Sequence, residues 1–293
     1  MPAINSPFRY AGGKFYARKL ILEKMCEHTC YIEPCAGGAS IFFCKEKAQT
    51  NILNDIDEDL INTYLVIRDN PTELVRLLKR RPEEESRIPS ELTRSVAIGD
   101  PMPATKELHT FFKNNFRPQN NLERAMRWFY LNRTSYSGIM NFQNMYWGYG
   151  DKYSMQPKNW ERNILRTSEK LQGVNITNTD FEEVIDNAPD GALIFVDPPY
   201  FNADQDKFYQ HFFTKEDHYR LVECVRRNYK RVLFFITYDN VEEVRQLYAF
   251  MEELHDKEWN YCISRTDDQK NHTATRGSRN KGKELFILNY RTD

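Results

Sequence analysis

Four consecutive residues, Asp197-Pro198-Pro199-Tyr200, join an acid, a stiff turn and an aromatic ring, a combination suited to chemistry on an amino group. Each proline fixes φ at about −65° and removes an N–H, so the turn is rigid and its carbonyl oxygens can accept hydrogen bonds. The Asp197 carboxylate and the Pro198 carbonyl can accept from an exocyclic amine, while Tyr200 offers a flat face to its ring. Alignment and electrostatics would activate this poor nucleophile without a metal or a covalent intermediate. A plain strand-ending turn with a surface tyrosine is the competing interpretation.

The element that must position this turn is the short apolar run at residues 192–196, which predicts a buried strand. Asp197 is therefore expected at the carboxyl end of a central strand, the edge where open α/β sheets bind ligands. Helical and strand patterns alternate on both sides of it, which predicts an α/β fold. They include a helical stretch over residues 60–79 and two late strands at residues 259–263 and 285–290.

A strand, a glycine-rich turn and a helix start follow one another over residues 31–47, the arrangement that cradles a cofactor in Rossmann-like sheets. Glu33, at the end of this strand, is placed to hold a positively charged group. Asp55 follows the next strand about twenty residues after the glycines, the spacing of an acid that binds ribose hydroxyls. A nucleoside-containing cofactor is therefore predicted. The other residues expected to line it are Pro34, Ala36, Gly37 and Gly38.

Two other segments could reach the same ligand. Gly12 and Gly13 precede a helix and let the backbone approach closely, and Lys14 can reach an anion or a carboxylate there. Asp180-Phe181 follows a predicted strand, where the acid could accept from a purine amino group while the ring stacks on the base. The glycine–lysine spacing of a nucleotide-triphosphate loop is incomplete around Lys14, so a site of that kind is excluded.

The composition excludes several classes of protein. A net charge of −1 over 293 residues argues against a uniformly basic nucleic-acid coat, so nucleic-acid binding must rest on local patches. The chain has no apolar run long enough for a membrane span and no signal-peptide pattern, and its six cysteines show no paired framework. A reduced, cytoplasmic enzyme is expected. Cys26, His28 and Cys30 lie close together without a second ligand pair, so no metal site is predicted.

A helical insertion is predicted over residues 66–159, between two parts of a catalytic domain at residues 1–65 and 160–293. Near its end, Tyr, Arg and Asn side chains interleave with glycine over residues 132–142, which suits stacking on bases and bonding to their edges. An aromatic mini-core would give the same pattern. The loop over residues 265–283 carries six Lys or Arg against two Asp, which suits phosphate contacts, although a solvated loop would look alike.

Together these features indicate methyl transfer to an amino group. The electrophile that matches an aligned exocyclic amine is the sulfonium methyl of S-adenosylmethionine, held by the glycine turn and the ribose-binding acid. A base inside a duplex cannot reach such a pocket, so it must be flipped out of the stack. Cytosine N4, RNA or a protein glutamine amide would suit the same corner, and a non-catalytic DNA-binding module is a more distant alternative.

The chain resembles the D12 class of site-specific DNA N6-adenine methyltransferases, the Dam-like family. The resemblance runs in order through motifs at residues 8–14, 33–38, 54–55, 132–138, 197–200 and 284–290. It implies a Rossmann-like, mostly parallel seven-stranded sheet with one antiparallel strand near its end, and an inserted target-recognition domain. By the same resemblance Tyr10, Lys14 and Asp55 contact S-adenosylmethionine, and Asp197 contacts both cofactor and target amine. The residues expected to contact DNA are Arg133, Tyr136, Ser137, Asn141, Arg276, Arg279 and Lys281.

Two positions depart from the family pattern. Asn141 stands where GATC-recognising members carry a guanine-reading arginine, and Ser137 stands where they have asparagine. Because Arg is the commonest bidentate reader of guanine and Asn pairs better with adenine, a recognition site other than GATC is expected. The predicted partner is double-stranded DNA, with no membrane partner, bound by a monomer or weak dimer in a bacterial or phage-infected cell. A cognate restriction endonuclease is left open as a further partner.

Overall fold

The computed structural model describes residues 3–10, 12–150, 154–201, 211–260 and 281–292, apart from the side chains of residues 258–260 and 281–283. The strands within them are β1 (Cys30–Glu33), β2 (Thr50–Asn54), β3 (Asn175–Thr177), β4 (Leu193–Val196), β5 (Leu233–Asp239), β6 (Glu253–Asn260) and β7 (Lys281–Leu288). They form one seven-stranded sheet in the order β3-β2-β1-β4-β5-β7-β6.

The sheet is parallel from β3 to β5, and β7 runs antiparallel between β5 and β6. The predicted α/β fold with a mostly parallel, seven-stranded sheet is confirmed. Every residue of β1 and of β4 is buried, because both central strands are covered on both faces. The strand order reverses between β1 and β4, and ligands of such sheets bind outside the carboxyl ends of the strands at this switch point.

The helices frame the sheet on both faces. One helix was predicted over residues 60–79, but the chain forms two, because Pro71 starts a new helix after Asn70. Proline is tolerated there since the first N–H of a helix has no partner within it. The α-helices in the described ranges are α1 (Arg18–Lys24), α2 (Ser40–Cys44), α3 (Glu58–Asp69), α4 (Pro71–Leu77), α5 (Lys106–Asn114), α6 (Asn121–Thr134), α7 (Trp160–Leu171), α8 (Phe181–Asp186), α9 (Lys215–Asn228) and α10 (Glu242–Leu247).

Alternate residues of β4 belong to two separate cores. Phe195 joins a buried cluster that continues without a break into Phe129 of α6, while Ile194 joins a second cluster with Leu221 of α9. Successive side chains of a strand point to opposite faces, so these cores lie on the two sides of the sheet. The boundary predicted between residues 65 and 66 falls inside α3, and the division into a catalytic domain and an insertion stays a prediction.

The strand predicted at residues 259–263 starts earlier than expected, at Glu253. β6 is an edge strand with several charged residues. Charges on an edge strand prevent it from pairing with other chains. They also interrupt the apolar pattern by which a strand is recognised in the sequence. Residues 261–280, which include most of the predicted phosphate-contacting loop, lie outside the described residues. Among the described helices, none is long and apolar enough to cross a membrane.

Candidate active site

Asp197 follows β4 directly, and its carboxylate is held from two sides. Lys14 Nζ lies 2.6 Å from Oδ1 and donates to Oδ2 over 2.8 Å, and the Thr237 hydroxyl donates to Oδ1 over 2.7 Å. These contacts join the segment before α1 to the ends of β4 and β5. The structure places Asp197 where the sequence predicted it, at the carboxyl end of a central strand.

The adjacent strand β5 anchors the rest of the turn, which sequence reasoning missed. The backbone N–H of Phe201 donates to Asp239 Oδ1 over 2.9 Å. The ring centroids of Tyr200 and Tyr238 lie 6.5 Å apart. Thr237, Tyr238 and Asp239 are consecutive at the carboxyl end of β5, beside the end of β4. The signal that could have revealed them is a polar end to an apolar strand, read together with the strand order.

Lys14 is almost fully buried, with 4% of its surface exposed, and acidic groups balance its charge. Its Nζ also donates to the Gly12 carbonyl over 2.9 Å and lies 4.9 Å from the centroid of the Tyr200 ring. Burial lowers the pKa of Lys14, but the nearby charges of Asp197 and Glu284 outweigh it, so the pKa is raised overall. Lys14 therefore stays charged, and any contact with a cofactor has to coexist with this ion pair.

The glycine turn after β1 is packed against Tyr10. Gly37 has a φ of +46°, and a Cβ there would lie 2.7 Å from the Tyr10 ring, while one at Gly38 would lie 2.9 Å from Tyr10 Cβ. The Tyr64 hydroxyl donates to the Gly37 carbonyl over 2.9 Å, and the Gly37 N–H donates to Asp55 Oδ2 over 2.8 Å. Only glycine allows this approach at both positions, so Tyr10 and the turn form one packed surface.

Asp55 lies just beyond β2, as the sequence predicted. Its Oδ2 accepts from Gly37, and its Oδ1 accepts from the Asp57 N–H over 3.0 Å. Burial raises the pKa of Asp55 to about 6. A carboxylate offers about four lone-pair sites, so these two bonds leave capacity for donors such as ribose hydroxyls.

Asn54, the last residue of β2, shapes the same turn by hydrogen bonds from its side chain and its backbone to the backbone of other residues. Its Nδ2 donates to the carbonyls of Pro34 and Thr179 over 2.9 Å each. Its own carbonyl accepts from the Ala36 N–H over 2.8 Å. Pro34 and Ala36 therefore lie in the turn as predicted, and these bonds tie it to the neighbouring strand.

Glu33, at the end of β1, bonds groups inside the protein. Its carboxyl is buried, and Oε1 accepts from the Tyr31 hydroxyl and from the Phe42 N–H of α2, each over 2.8 Å. Burial raises the pKa of Glu33 to about 8, so the group is mostly neutral near pH 7. Through Oε1 the side chain joins β1 to α2, and the contact of Glu33 with a positively charged ligand group stays a prediction.

Asp180 and Phe181 begin α8, and an arginine covers both. Asp180 Oδ1 accepts from the Glu182 N–H over 2.9 Å and from Arg220 Nη2 over 3.0 Å. The Arg220 guanidinium lies 5.1 Å from the centroid of the Phe181 ring, which is buried. Arg220 thus occupies both groups that the sequence assigned to the cofactor, and that assignment stays a prediction.

Within the described ranges, Glu182, Asp186 and Cys224 present possible metal-binding atoms within 4.8 Å of one another. Both carboxylates are already paired with Arg227, at 2.6 and 2.7 Å. The cluster therefore serves to join α8 to α9.

The loop after α6 folds back on itself and presents Tyr136. The Tyr136 N–H donates to the Tyr146 carbonyl over 2.8 Å, and the Gly148 N–H donates to the Thr134 carbonyl over 3.0 Å. We call this closed segment, residues 134–148, the recognition loop. Tyr136 is 47% exposed and Ser137 adopts a left-handed φ of +53°. Both residues thus lie at an accessible bend, as contact with DNA requires.

Two residues predicted to contact DNA are buried instead. Arg133 is 4% exposed, and its Nη1 donates to the Pro7 carbonyl over 3.3 Å. Burial lowers the pKa of Arg133 to about 10. Asn141 is 8% exposed, and its Oδ1 accepts from the N–H groups of Gln143 and Asn144 over 3.0 and 3.3 Å, which closes a turn. Both side chains therefore support the loop from inside, and the DNA contacts of Arg133 and Asn141 stay predictions.

Lys113 of α5 holds two exposed rings on the recognition loop. Its Nζ donates to the Met145 carbonyl over 2.8 Å and lies 5.3 and 5.6 Å from the ring centroids of Phe142 and Tyr146. These rings are 52% and 62% exposed, so a cation and two aromatic faces are presented together. The remaining predicted DNA contacts lie outside what the structure describes, namely Arg276, Arg279 and the side chain of Lys281.

Several known proteins are similar to this chain. The family model of the D12 class N6 adenine-specific DNA methyltransferases matches residues 10–263. A type II methyltransferase of Lactococcus lactis subsp. cremoris is 26% identical over 97% of this chain and 95% of its own length. The DNA N-6-adenine-methyltransferase of Escherichia phage P1 is 29% identical over 83% of this chain and 31% of its own length. The DNA adenine methylase of Escherichia coli is 25% identical over 73% of each chain. Because the family model matches most of its length, the chain belongs to the D12 class of N6-adenine-specific DNA methyltransferases.

Proposed function

We propose that the protein transfers the methyl group of S-adenosylmethionine to N6 of an adenine flipped out of double-stranded DNA, at a site other than GATC. The observation that carries this proposal is the fixed carboxylate of Asp197, which Lys14 and Thr237 hold at the switch point of the sheet. Family membership supplies the reaction class, adenine methylation.

The residues around the turn after β1 fit S-adenosylmethionine. Tyr10 packs directly on Gly37 and Gly38, so an aromatic ring and a backbone turn line one surface. Asp55 keeps lone pairs for ribose hydroxyls at the end of the neighbouring strand. When bound, S-adenosylmethionine supplies an electrophilic methyl group on a positively charged sulfur.

The corner at Asp197 suits the amino group of the target adenine. Lys14 bonds Oδ2 from one direction, which leaves that oxygen capacity for an adenine N–H. The Pro198 carbonyl is expected to accept the second N–H. Two acceptors would align the amine lone pair with the methyl group, and this alignment supplies the rate acceleration. Tyr200, whose ring lies beside the Lys14 ammonium, is expected to stack on the flipped base.

The recognition loop is the part of the protein that we assign to the DNA sequence. Tyr136 is exposed at its bend and is suited to stack on bases beside the flipped adenine. Asn141 stands where GATC-recognising members carry a guanine-reading arginine, and its amide, whose Oδ1 closes a turn, cannot reproduce the bidentate contact of arginine with guanine. This supports a recognition site other than GATC. The monomeric or weakly dimeric state, the cytoplasmic location and a cognate restriction endonuclease stay predictions.

Methylation-aware sequencing of DNA from a methylation-free host that makes the protein tests both base and site. We expect N6-methyladenine within one short sequence other than GATC. Methylated GATC would refute the proposed site, and N4-methylcytosine would refute the proposed base. Asp197→Ala should abolish methyl transfer with an unchanged circular dichroism spectrum, whereas Asp190→Ala, at an exposed acid before β4, should be active.

A further inference from the structure

The side chain of Asn132, at the end of α6, is fully buried and bonds both backbone groups of one distant residue. Its Oδ1 accepts from the Arg9 N–H over 3.0 Å, and its Nδ2 donates to the Arg9 carbonyl over 2.7 Å. Nδ2 also lies 3.4 Å from the Gly138 carbonyl. A side-chain amide thus makes the paired bonds that a neighbouring strand would make, between residues 123 positions apart.

Further contacts join the Arg9 segment, by which we mean residues 9–14, to the recognition loop. We call this contact between the two segments the seam. Gly138 has a φ of +72°, and a Cβ there would collide with the Arg9 carbonyl, so the loop backbone lies directly on Arg9. The Arg9 guanidinium reaches across the seam as well, with Nη1 3.4 Å from the Ser135 carbonyl and 3.2 Å from Ser154 Oγ. Side chains from both sides, Asn132 at the end of α6 and Arg9, therefore hold the seam together.

The other end of the Arg9 segment belongs to the catalytic corner. Tyr10 packs on the glycine turn, and its carbonyl accepts from the Gly13 N–H over 3.2 Å. Lys14 then holds Asp197. Only five positions separate Arg9 from Lys14, so a displacement of Arg9 would reach the ion pair that orients the acid.

We propose that Asn132 is a positioning residue for methyl transfer. It fixes the position of the Tyr136 bend of the recognition loop relative to the Lys14–Asp197 pair. The proposal rests on the proposed function, which assigns DNA to one side of this seam and the methyl donor to the other. Without the amide, each ligand still binds its own side, but adenine and methyl group are no longer aligned. The chemical step then slows while the two affinities stay nearly unchanged.

Asn132→Asp tests this, because the carboxylate keeps the shape of the amide but places an acceptor against the Arg9 carbonyl. Asn51 offers a matched control, since it is also buried and bonds both backbone groups of Ala48, over 3.1 and 2.8 Å, away from the seam. We expect Asn132→Asp to slow single-turnover methyl transfer about 10- to 100-fold, with KM for S-adenosylmethionine and Kd for DNA changed less than about threefold. Asn51→Asp should transfer methyl groups at the wild-type rate.

Wild-type turnover in Asn132→Asp would overturn the proposal, and so would an equal loss in both variants, which would indicate general destabilisation. Amide hydrogen exchange of the wild type gives a second test that needs no variant to fold. Bound S-adenosylhomocysteine should slow exchange at Tyr136–Gly138, and protection confined to the glycine turn would count against the seam. A wild type that methylates no DNA would refute the proposed function, while the exchange experiment would still show whether the seam couples the cofactor side to the Tyr136 bend.

Discussion

The Thr237 hydroxyl donates to Asp197 Oδ1 over 2.7 Å, across the paired strands β5 and β4. Asp197 follows β4 and Thr237 lies near the carboxyl end of β5, at the same edge of the sheet, where Thr237 is fully buried. The bond fixes the rotation of the carboxylate about its own axis, while Lys14 supplies the opposing charge. An acid with two such restraints meets its substrate already oriented, which is what methyl transfer to a poorly nucleophilic amine requires.

Thr237→Val should lower kcat about tenfold with KM for S-adenosylmethionine nearly unchanged, because a hydrogen bond to a charged group contributes about 1.5 kcal/mol or more. Valine keeps the volume of threonine and removes only the donor. Thr167→Val is the control, since Thr167 is also fully buried and its hydroxyl donates to the Asn163 carbonyl in α7. A Thr237→Val enzyme with the wild-type kcat would contradict this role.

Glu33→Gln should remove a pH dependence of stability. Burial raises the pKa of Glu33 from 4.5 to about 8, so the folded protein keeps a proton that the unfolded chain loses in this range. Its stabilising contribution is full below the unfolded pKa and is lost as the pH rises through the folded pKa, with a slope of at most about 1.4 kcal/mol per pH unit. Glutamine can still accept from Tyr31 and Phe42, so the variant should lose less stability between about pH 5 and 8 than the wild type.

Urea unfolding at several pH values measures this difference in the free energy of unfolding. Glu23→Gln, at an exposed acid of α1, should keep the wild-type pH profile. Profiles of the wild type and of Glu33→Gln that run parallel would show that Glu33 titrates at an ordinary value.

Arg133→Met should leave DNA affinity and its salt dependence unchanged, because the guanidinium lies beneath the recognition loop and bonds Pro7. Tyr136→Leu should weaken DNA binding, since stacking of one base on an aromatic ring contributes about 1–3 kcal/mol. Cofactor affinity should stay the same in both variants. Fluorescence anisotropy at several salt concentrations separates the two effects. A shallower salt dependence of DNA binding in Arg133→Met would show that Arg133 does contact DNA, as the sequence predicted.

Lys113→Met should weaken DNA binding and reduce the slope of log K against log salt by about one unit, the loss expected for one phosphate contact. The reason is that its ammonium lies between two exposed rings on the same loop as Tyr136. Lys19→Met is a matched control, because Lys19 is exposed on α1. Identical slopes for the two variants would show that Lys113 only supports Phe142 and Tyr146.

The sequence predicted the parts of the site that local signals mark. Asp197 and Asp55 follow short apolar strands, and parallel strands bring their carboxyl ends to one edge. Thr237 was missed because its role depends on β5 lying next to β4, an arrangement that a single sequence does not display. The same limit applies to Glu284, whose charge acts on Lys14 only because β7 runs antiparallel to its neighbours and so starts beside the end of β5.

The burial of two residues expected to contact DNA could not be predicted for a different physical reason. Residue type alone suggested that Arg133 and Asn141 face DNA, but long-range packing decides which way a side chain points. The last turn of α6 is buried because the N-terminal segment covers it, through bonds such as that from Asn132 to Arg9. Asn141 is followed by polar residues whose N–H groups its own oxygen can cap, a turn signal that the aromatic pattern obscured.

The ion pair between Lys14 and Asp197 joins residues 183 positions apart, and this spacing determines when the site can form. A ribosome makes the lysine well before the aspartate, and it makes Glu284 later still. A nascent chain that lacks these acids would have to bury an ammonium without its counter-charges, which is strongly unfavourable. The corner around Asp197 is therefore completed only when β7 enters the sheet between β5 and β6, so the site cannot form before the chain has been synthesised through β7.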